Sequence, residues 1–383
     1  MKKKRIGLVS PYNIVNYGTK LQAFAMQEII KTYGMEPQIV NYFPKYDRRP
    51  HILFKKVKNG ILKNKNNDNG KNVNSKVSEK LAIRSKSVNS FDKKYNLSKS
   101  IKGYGNLKAS IVNYDAFICG SDQIWAEGNL ITDFYSLEFV NNKKRTIAYA
   151  PSFGTATILD KNKDKYRKFI RNIDYVSVRE ESGKKLIKDI AQREVKQVVD
   201  PTLLVDRKVW IDLISGVKNE ISEKYIFCYF LGISKEHRQA VEELKKKTGY
   251  KIVNLPFIKC INEADENFGD YKLFDVSPEK FIKLISEAEY ICTDSFHGTI
   301  FSVIFQKKFY VFERFNRGSE ESTNTRLYSL LKMLKLEQQL ISNPKYILEV
   351  ENQNIDYKKV NGLLDEQRKI SSKFLNEALM SIN

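Results

Sequence analysis

The chain has 383 residues, enough for two domains with cores of ordinary size. Its hydrophobic fraction of 42% and aromatic fraction of 12% indicate a folded globular protein, and no apolar run approaches the roughly 18 residues that span a bilayer. The net charge of +21 is compatible with an anionic substrate, an anionic membrane face or nucleic acid, and also with simple Lys, Asn and Ile enrichment. No zinc finger, RNP-like motif or basic stripe interleaved with aromatics supports nucleic acid, so no nucleic-acid partner is expected.

Lys2 to Arg5 followed by Ile6 to Val9 mimics a signal peptide, but the apolar part is short and is broken by Ser10 and Pro11; it reads as a first strand. Asn13 to Gly18 forms a polar turn, and Lys20 to Tyr33 carries helical periodicity that Gly34 stops. Residues 37–42 read as the next strand, which makes a βαβ opening and predicts a parallel sheet. Residues 55–80, rich in Lys and Asn, predict a loop or insertion with little to bury, followed by a helix over about 81–95. Further strands are expected at 114–120, 146–150 and 175–178, with Val198 and Val199 leading into Asp200 and Pro201.

Charged sequence from about 206 to 224 reads as a crossing between domains. Strand 225–231, helix 237–248, strand 251–255 and helix 278–287 then open a second α/β unit. It continues with strand 290–292, a helix opening near Gly298 or Thr299, and strand 309–312. The stretch 360–379 is an amphipathic helix able to return onto the first domain. The expected architecture is two Rossmann-like α/β domains facing across a cleft, over 1–205 and 225–345, with a terminal helix over 353–383. Four separated cysteines without a CxxC, three of them in apolar runs, point to a reducing cytoplasm and away from structural zinc or an iron–sulfur cluster.

Function in such folds sits in the loops after the strands. His297, one of three histidines, follows the strand at 290–292 and lies at a helix N-terminus, where free N–H groups and the helix dipole favour anions. A His there can simply cap the helix or satisfy a buried carbonyl; its neighbours Asp294, Ser295 and Thr299 favour a polar pocket. Neither GxGxxG nor GxxxxGK[ST] occurs, which argues against dinucleotide or P-loop chemistry.

Seven segments in order carry a resemblance: Asn16-Tyr17-Gly18 with Leu21-Gln22-Ala23, Gly120 to Trp125, Tyr149 to Gly154, Ser177 to Glu180, Asp200 to Leu204, Thr293 to Thr299, and Asn324 to Leu327. Together they resemble the polysaccharide pyruvyl transferases over most of the chain. That resemblance implies a GT-B-like fold and transfer of a pyruvyl group from phosphoenolpyruvate to a sugar diol as a cyclic ketal, in cell-surface polysaccharide biosynthesis. It makes His297 the candidate acid. Ser295 stands where many relatives carry Arg, so Arg179 is the leading replacement cation, or else a salt-bridge partner of Glu180 or Glu181. Arg326 and Arg317 are weaker candidates.

Asp122 is expected either to orient or deprotonate the acceptor hydroxyl or to cap the turn after its strand; Asp294 has the same two readings. Asn16, Tyr17, Gly18, Ser121, Ser295, Gly298 and Thr299 complete the expected substrate-binding set, with a structural role open for Gly18. Asp200 is expected to shape a turn, and neither His51 nor His237, flanked by exposed charged sequence, is given a role. The partners implied are phosphoenolpyruvate and a sugar or lipid-linked oligosaccharide acceptor; no further cofactor or metal is expected. A cytoplasmic enzyme is expected, in peripheral contact with anionic lipid at the inner membrane face through residues 55–80 if the acceptor is lipid-linked. Two alternatives stand beside this reading: a glycosyltransferase of similar architecture using a nucleotide-sugar, and a basic protein binding nucleic acid or anionic surfaces.

Overall fold

A computed structural model describes residues 3–44, 69–129, 133–141, 143–315, 323–344, 347–350 and 354–382. Two six-stranded parallel sheets organise the chain. The first has the order β2-β1-β5-β6-β7-β8, from β1 (Arg5–Val9), β2 (Glu36–Ile39), β5 (Ala116–Gly120), β6 (Arg145–Tyr149), β7 (Tyr175–Val178) and β8 (Lys196–Gln197). The second runs β11-β10-β9-β12-β13-β14, from β9 (Tyr225–Tyr229), β10 (Lys251–Asn254), β11 (Tyr271–Lys272), β12 (Tyr290–Thr293), β13 (Lys308–Phe312) and β14 (Leu340–Ile341). A small pair, β3 (Tyr42–Phe43) with β4 (Ile101–Lys102), lies beside the first sheet's chain path. The expectation of two Rossmann-like halves with parallel strands is met.

Burial explains the strand sequences. Apolar runs such as Ala116–Gly120, Tyr225–Tyr229 and Tyr290–Thr293 are buried at every position, as strands covered on both faces must be. Strand order reverses between β1 and β5 in the first sheet and between β9 and β12 in the second. Such switch points open a crevice at the strand C-termini. Here the two crevices face each other.

One apolar core runs between the sheets. Tyr17 stacks on Phe281 at 4.7 Å and meets Tyr229 edge-on at 5.7 Å, while Trp210 bridges Phe24 and Phe301. The helix Asn69–Asn89 adds a polar strut: Arg84 donates from Nη1 to Pro256 O (2.6 Å) and from Nη2 to Leu273 O (3.1 Å). The C-terminal helix Tyr357–Met380 lies against the first sheet, where Ser371 Oγ accepts from Val199 N and Arg368 Nε donates to Leu203 O. No helix among the described residues is long and apolar enough to cross a membrane.

Several local expectations need correction. The helix expected over 81–95 starts at Asn69, so residues 69–80 are helical; the remainder of the 55–80 segment and His51 lie outside the described residues. The single strand expected over 37–42 is split into β2 and β3. Part of the crossing at 206–224 is the helix Arg207–Ile214, capped by Asp206 and anchored by buried Trp210. The helix expected at Gly298 opens at Phe296, because Ser295 takes the N-cap position and its Oγ accepts from Gly298 N at 3.3 Å. His237 is not beside exposed sequence in space: it is buried between Phe230 and Phe312.

Candidate active site

The loops after β1, β5, β9, β10, β12 and β13 enclose a cavity of about 250 Å³ between the two sheets. Its N-terminal wall is built from Asn16, Thr19, Asp122, Gln123, Asn129 and Tyr135. Leu231, Lys259, Ser295, Phe296, His297, Arg314 and Arg326 form the opposite wall.

The N-terminal wall is fixed by short polar contacts. Asn16 caps the helix Tyr17–Thr32, its Oδ1 accepting from Thr19 N at 3.0 Å. Gln22, one turn on, donates to Ser10 Oγ and Pro11 O and so ties the β1 loop to the helix. Asp122 adopts φ +67°, a left-handed conformation that costs energy for a residue with a side chain and clusters at functional sites. Its Oδ2 accepts from Thr19 Oγ1 (2.7 Å) and its Oδ1 from Gln123 N (2.9 Å). Burial opposes ionisation of Asp122, but His297, Arg179 and the Thr19 hydrogen bond outweigh it and hold the carboxyl below its ordinary value. Gly120, at φ +138°, must be glycine because a Cβ would meet Tyr149 O at 1.8 Å.

The opposite wall concentrates positive charge. Arg314 donates from Nη2 to Asp294 O at 2.8 Å, and Arg326 donates to Thr323 O and Oγ1. Burial, then the like charges of Arg179 and Arg314, lower Arg326 to about 9. Lys259 is exposed at the rim, yet loss of water along the wall, then Arg314 and Arg326, bring it down to about 8. Three cations that repel one another in this way concentrate positive potential on this wall. His297 stands in the first turn of the helix Phe296–Ile304, whose leading N–H groups and dipole add to the same field.

A buried charge network joins the two walls from behind. Arg179 donates from Nη1 to Asp200 Oδ2 and from Nε to Glu180 Oε1, each at 2.8 Å, and lies 4.2 Å from the centre of the Phe296 ring. Ser121 Oγ donates to Asp200 Oδ2 at 2.7 Å, and His297 Nε2 lies 3.7 Å from the same oxygen.

The sequence profile of the polysaccharide pyruvyl transferases matches residues 16–314, most of the chain. The chain belongs to that family. No curated protein matches it in sequence. Among solved structures, UGT89C1 of Arabidopsis thaliana aligns over 100% of both chains with a TM-score of 0.51 at 8% identity. UDP-GlcNAc 2-epimerase of Neisseria meningitidis aligns over 98% of this chain and 100% of its own, with a TM-score of 0.47 at 12% identity. MurG of Acinetobacter baumannii aligns over 96% and 95%, with a TM-score of 0.42 at 8% identity. The fold is GT-B-like.

Of the residues expected in the site, Asn16, Asp122, Ser295, His297 and Arg326 line the cavity. Other expected binders sit behind it. Tyr17 is buried in the core between the sheets, and Gly18 packs on the His297 ring. Ser121 serves Asp200, and Asp294 accepts from the backbone N–H of Leu231 and Gly232, 2.7 Å each, stitching two strand-end loops together. Gly298 lies against Thr293, where a Cβ would come within 2.6 Å of Oγ1, and Thr299 Oγ1 donates to Ser295 O. Arg179 is the salt-bridge partner of Glu180 rather than an open replacement for the missing Arg at Ser295. Arg317 lies outside the described residues.

Sequence reasoning missed Arg314, Lys259, Thr19 and the role of Asp200. Arg314 follows β13 by two residues, a strand-end position of the kind that placed the other candidates. Asp200, expected to shape a turn, instead caps the short helix Pro201–Leu204, and its second oxygen faces the network.

Proposed function

We propose that this pyruvyl transferase takes phosphoenolpyruvate as donor and builds a cyclic pyruvyl ketal on a sugar diol, releasing inorganic phosphate, in the assembly of a cell-surface polysaccharide. The observation that carries this reading is the cation wall of Lys259, Arg314 and Arg326 beside His297. A donor with a carboxylate and a phosphate on one carbon is matched by several separate cations and a helix N-terminus. The family membership supports the same donor.

In this reading the imidazolium of His297 gives its proton to the methylene carbon, the electron pair coming from the C2=C3 bond, and positive charge develops at C2. One sugar hydroxyl adds to C2 and loses its proton to Asp122, whose carboxylate is kept ionised by its cationic neighbours. The C2–O bond to phosphate then breaks, with the leaving phosphate held by the cation wall. The second hydroxyl closes on C2 and loses its proton to the departing phosphate. One proton is gained at carbon and two are lost from oxygen, so the products are the ketal and inorganic phosphate. The amide and hydroxyl groups of Asn16, Thr19, Gln123, Asn129 and Tyr135 suit a neutral polyol on the opposite wall.

A lipid-linked acceptor would bring the enzyme to the inner face of the membrane, with the excess positive charge against anionic headgroups. The test is incubation with phosphoenolpyruvate and a panel of glycan acceptors, following phosphate release and acceptor mass. A gain of one pyruvate less one water, with equimolar phosphate, is the expected result. Transfer of a sugar from a nucleotide-sugar instead would replace this reading.

A further inference from the structure

We infer that Asp200 is a positioning residue for His297, stationing the Nε2 side of the imidazole from the first sheet so that Nδ1 is the nitrogen that exchanges protons with substrate. The inference rests on the proposed role of His297 as proton donor, and it assigns that role to one atom.

Asp200 has more partners than a helix cap requires. Its Oδ1 alone completes the cap, accepting from Thr202 N at 3.0 Å and Thr202 Oγ1 at 2.7 Å. Oδ2 turns the other way, towards Ser121 Oγ (2.7 Å), Arg179 Nη1 (2.8 Å) and His297 Nε2 (3.7 Å). These three groups come from three separate strand-end loops, and His297 belongs to the second sheet. Asp200 and Arg179 are both buried, so neither swings away into solvent.

Burial opposes charge on Asp200, yet His297, Arg179 and Thr202 together hold its carboxyl far below the ordinary carboxylate range. An ionised carboxylate only accepts hydrogen bonds, so the ring nitrogen that faces it carries hydrogen. His297 Nε2 is buried and makes no hydrogen bond; its ion-pair contact is Asp200 Oδ2 at 3.7 Å. On the far side of the ring, the edge that carries Nδ1 packs against Gly18, where a Cβ would come within 2.1 Å of Nδ1. Other charges near the ring are Asp122 after β5, Arg179 after β7, and the cavity-lining Arg314 and Arg326. Among the described residues, Asp200 is the acid that forms an ion-pair contact with the ring.

The neutral imidazole is therefore the Nε2–H tautomer with a bare Nδ1. In the imidazolium, the Nδ1–H bond is the one that breaks when the proton passes to the donor's methylene carbon. The bonding pair stays on Nδ1, and Nε2–H remains facing Asp200.

The direct test is ¹⁵N NMR of the histidine-labelled full chain at alkaline pH, with the His297 signals assigned by subtraction of a His297→Gln spectrum. The wild type is expected to show the Nε2–H tautomer, and Asp200→Asn to shift it towards Nδ1–H. Thr202→Ala, which touches only the capping oxygen, is expected to leave the tautomer unchanged. In turnover, Asp200→Asn is expected to lower kcat by about a hundredfold or more, with KM for phosphoenolpyruvate changed less than about threefold, as when an orienting carboxylate is lost behind a catalytic His. An Nδ1–H tautomer in the wild type, or one unmoved by Asp200→Asn, overturns the inference. The wild-type spectrum decides even where the variant does not fold. It is also independent of substrate, so failure of phosphoenolpyruvate turnover counts against the proposed reaction and not against Asp200.

Discussion

A Cβ atom on Gly18 would lie 2.1 Å from Nδ1 of His297, so the helix that opens the first sheet is in direct contact with the imidazole carried by the second. Gly18 is in the first turn of that helix and has no positive φ to explain it. Its requirement is space. Gly18→Ala should therefore displace the imidazole from its position and lower turnover at least about tenfold, with an overpacking cost of about 1–3 kcal/mol in urea unfolding. Wild-type turnover in Gly18→Ala would mean that the contact does not matter.

The cation wall predicts a graded loss of donor binding. Arg314→Ala and Arg326→Ala each remove a charge-assisted contact, which is worth about 1.5–3 kcal/mol, or roughly 10- to 150-fold in Kd for phosphoenolpyruvate. Arg179→Ala should act differently. It releases Asp200 and Glu180 from a buried pair and should destabilise the fold as well as the site. Calorimetry beside thermal unfolding separates the two effects.

Donor binding should weaken as pH rises. Lys259 is drawn down to about 8, so it is charged below that pH and neutral above it. Affinity for phosphoenolpyruvate is then full near pH 7 and falls through pH 8 as Lys259 loses its charge. Lys259→Arg should flatten the lower part of that decline. A flat profile in the wild type would remove Lys259 from the site.

Away from the site, His237 makes a stability prediction. Burial first of all lowers it to about 4 from an ordinary 6.5. It is neutral when folded, while the unfolded chain binds a proton between those values, so stability is lost as pH falls from about 6.5 towards 4. The loss should reach about 3 kcal/mol at the lower end. His237→Gln should shallow the slope of urea-unfolding stability in that window.

The legible part of this protein was its local part. The helix Pro278–Glu287 was read at its true ends because Ser277 and Pro278 form a cap and a first helical position in adjacent residues. The strands at β5, β9 and β12 were legible because strands buried on both faces appear as apolar runs. The helix Arg207–Ile214 was not, since Trp210 and Ile214 alone bury among charged neighbours. In the site, His297, Asp122 and Asn16 were found from strand-end position. Arg314 and Lys259 follow β13 and β10 and carried no signal beyond that position, while the role of Asp200 was hidden because its meeting with His297 depends on how the two sheets face each other. Tyr17 shows the converse. It sits in a motif that resembles a binding segment, yet its ring holds the sheets together. Its hydroxyl has no hydrogen-bond partner, so Tyr17→Phe should change stability by less than about 1 kcal/mol and leave donor binding intact.

The measurement that bears most directly on the central claim is calorimetric titration of the full chain with phosphoenolpyruvate and, separately, with a UDP-sugar. The account predicts that phosphoenolpyruvate binds the wild type, that Arg314→Ala weakens it at least about tenfold, and that the UDP-sugar gives no comparable heat. Binding of the UDP-sugar with no response to phosphoenolpyruvate would contradict it.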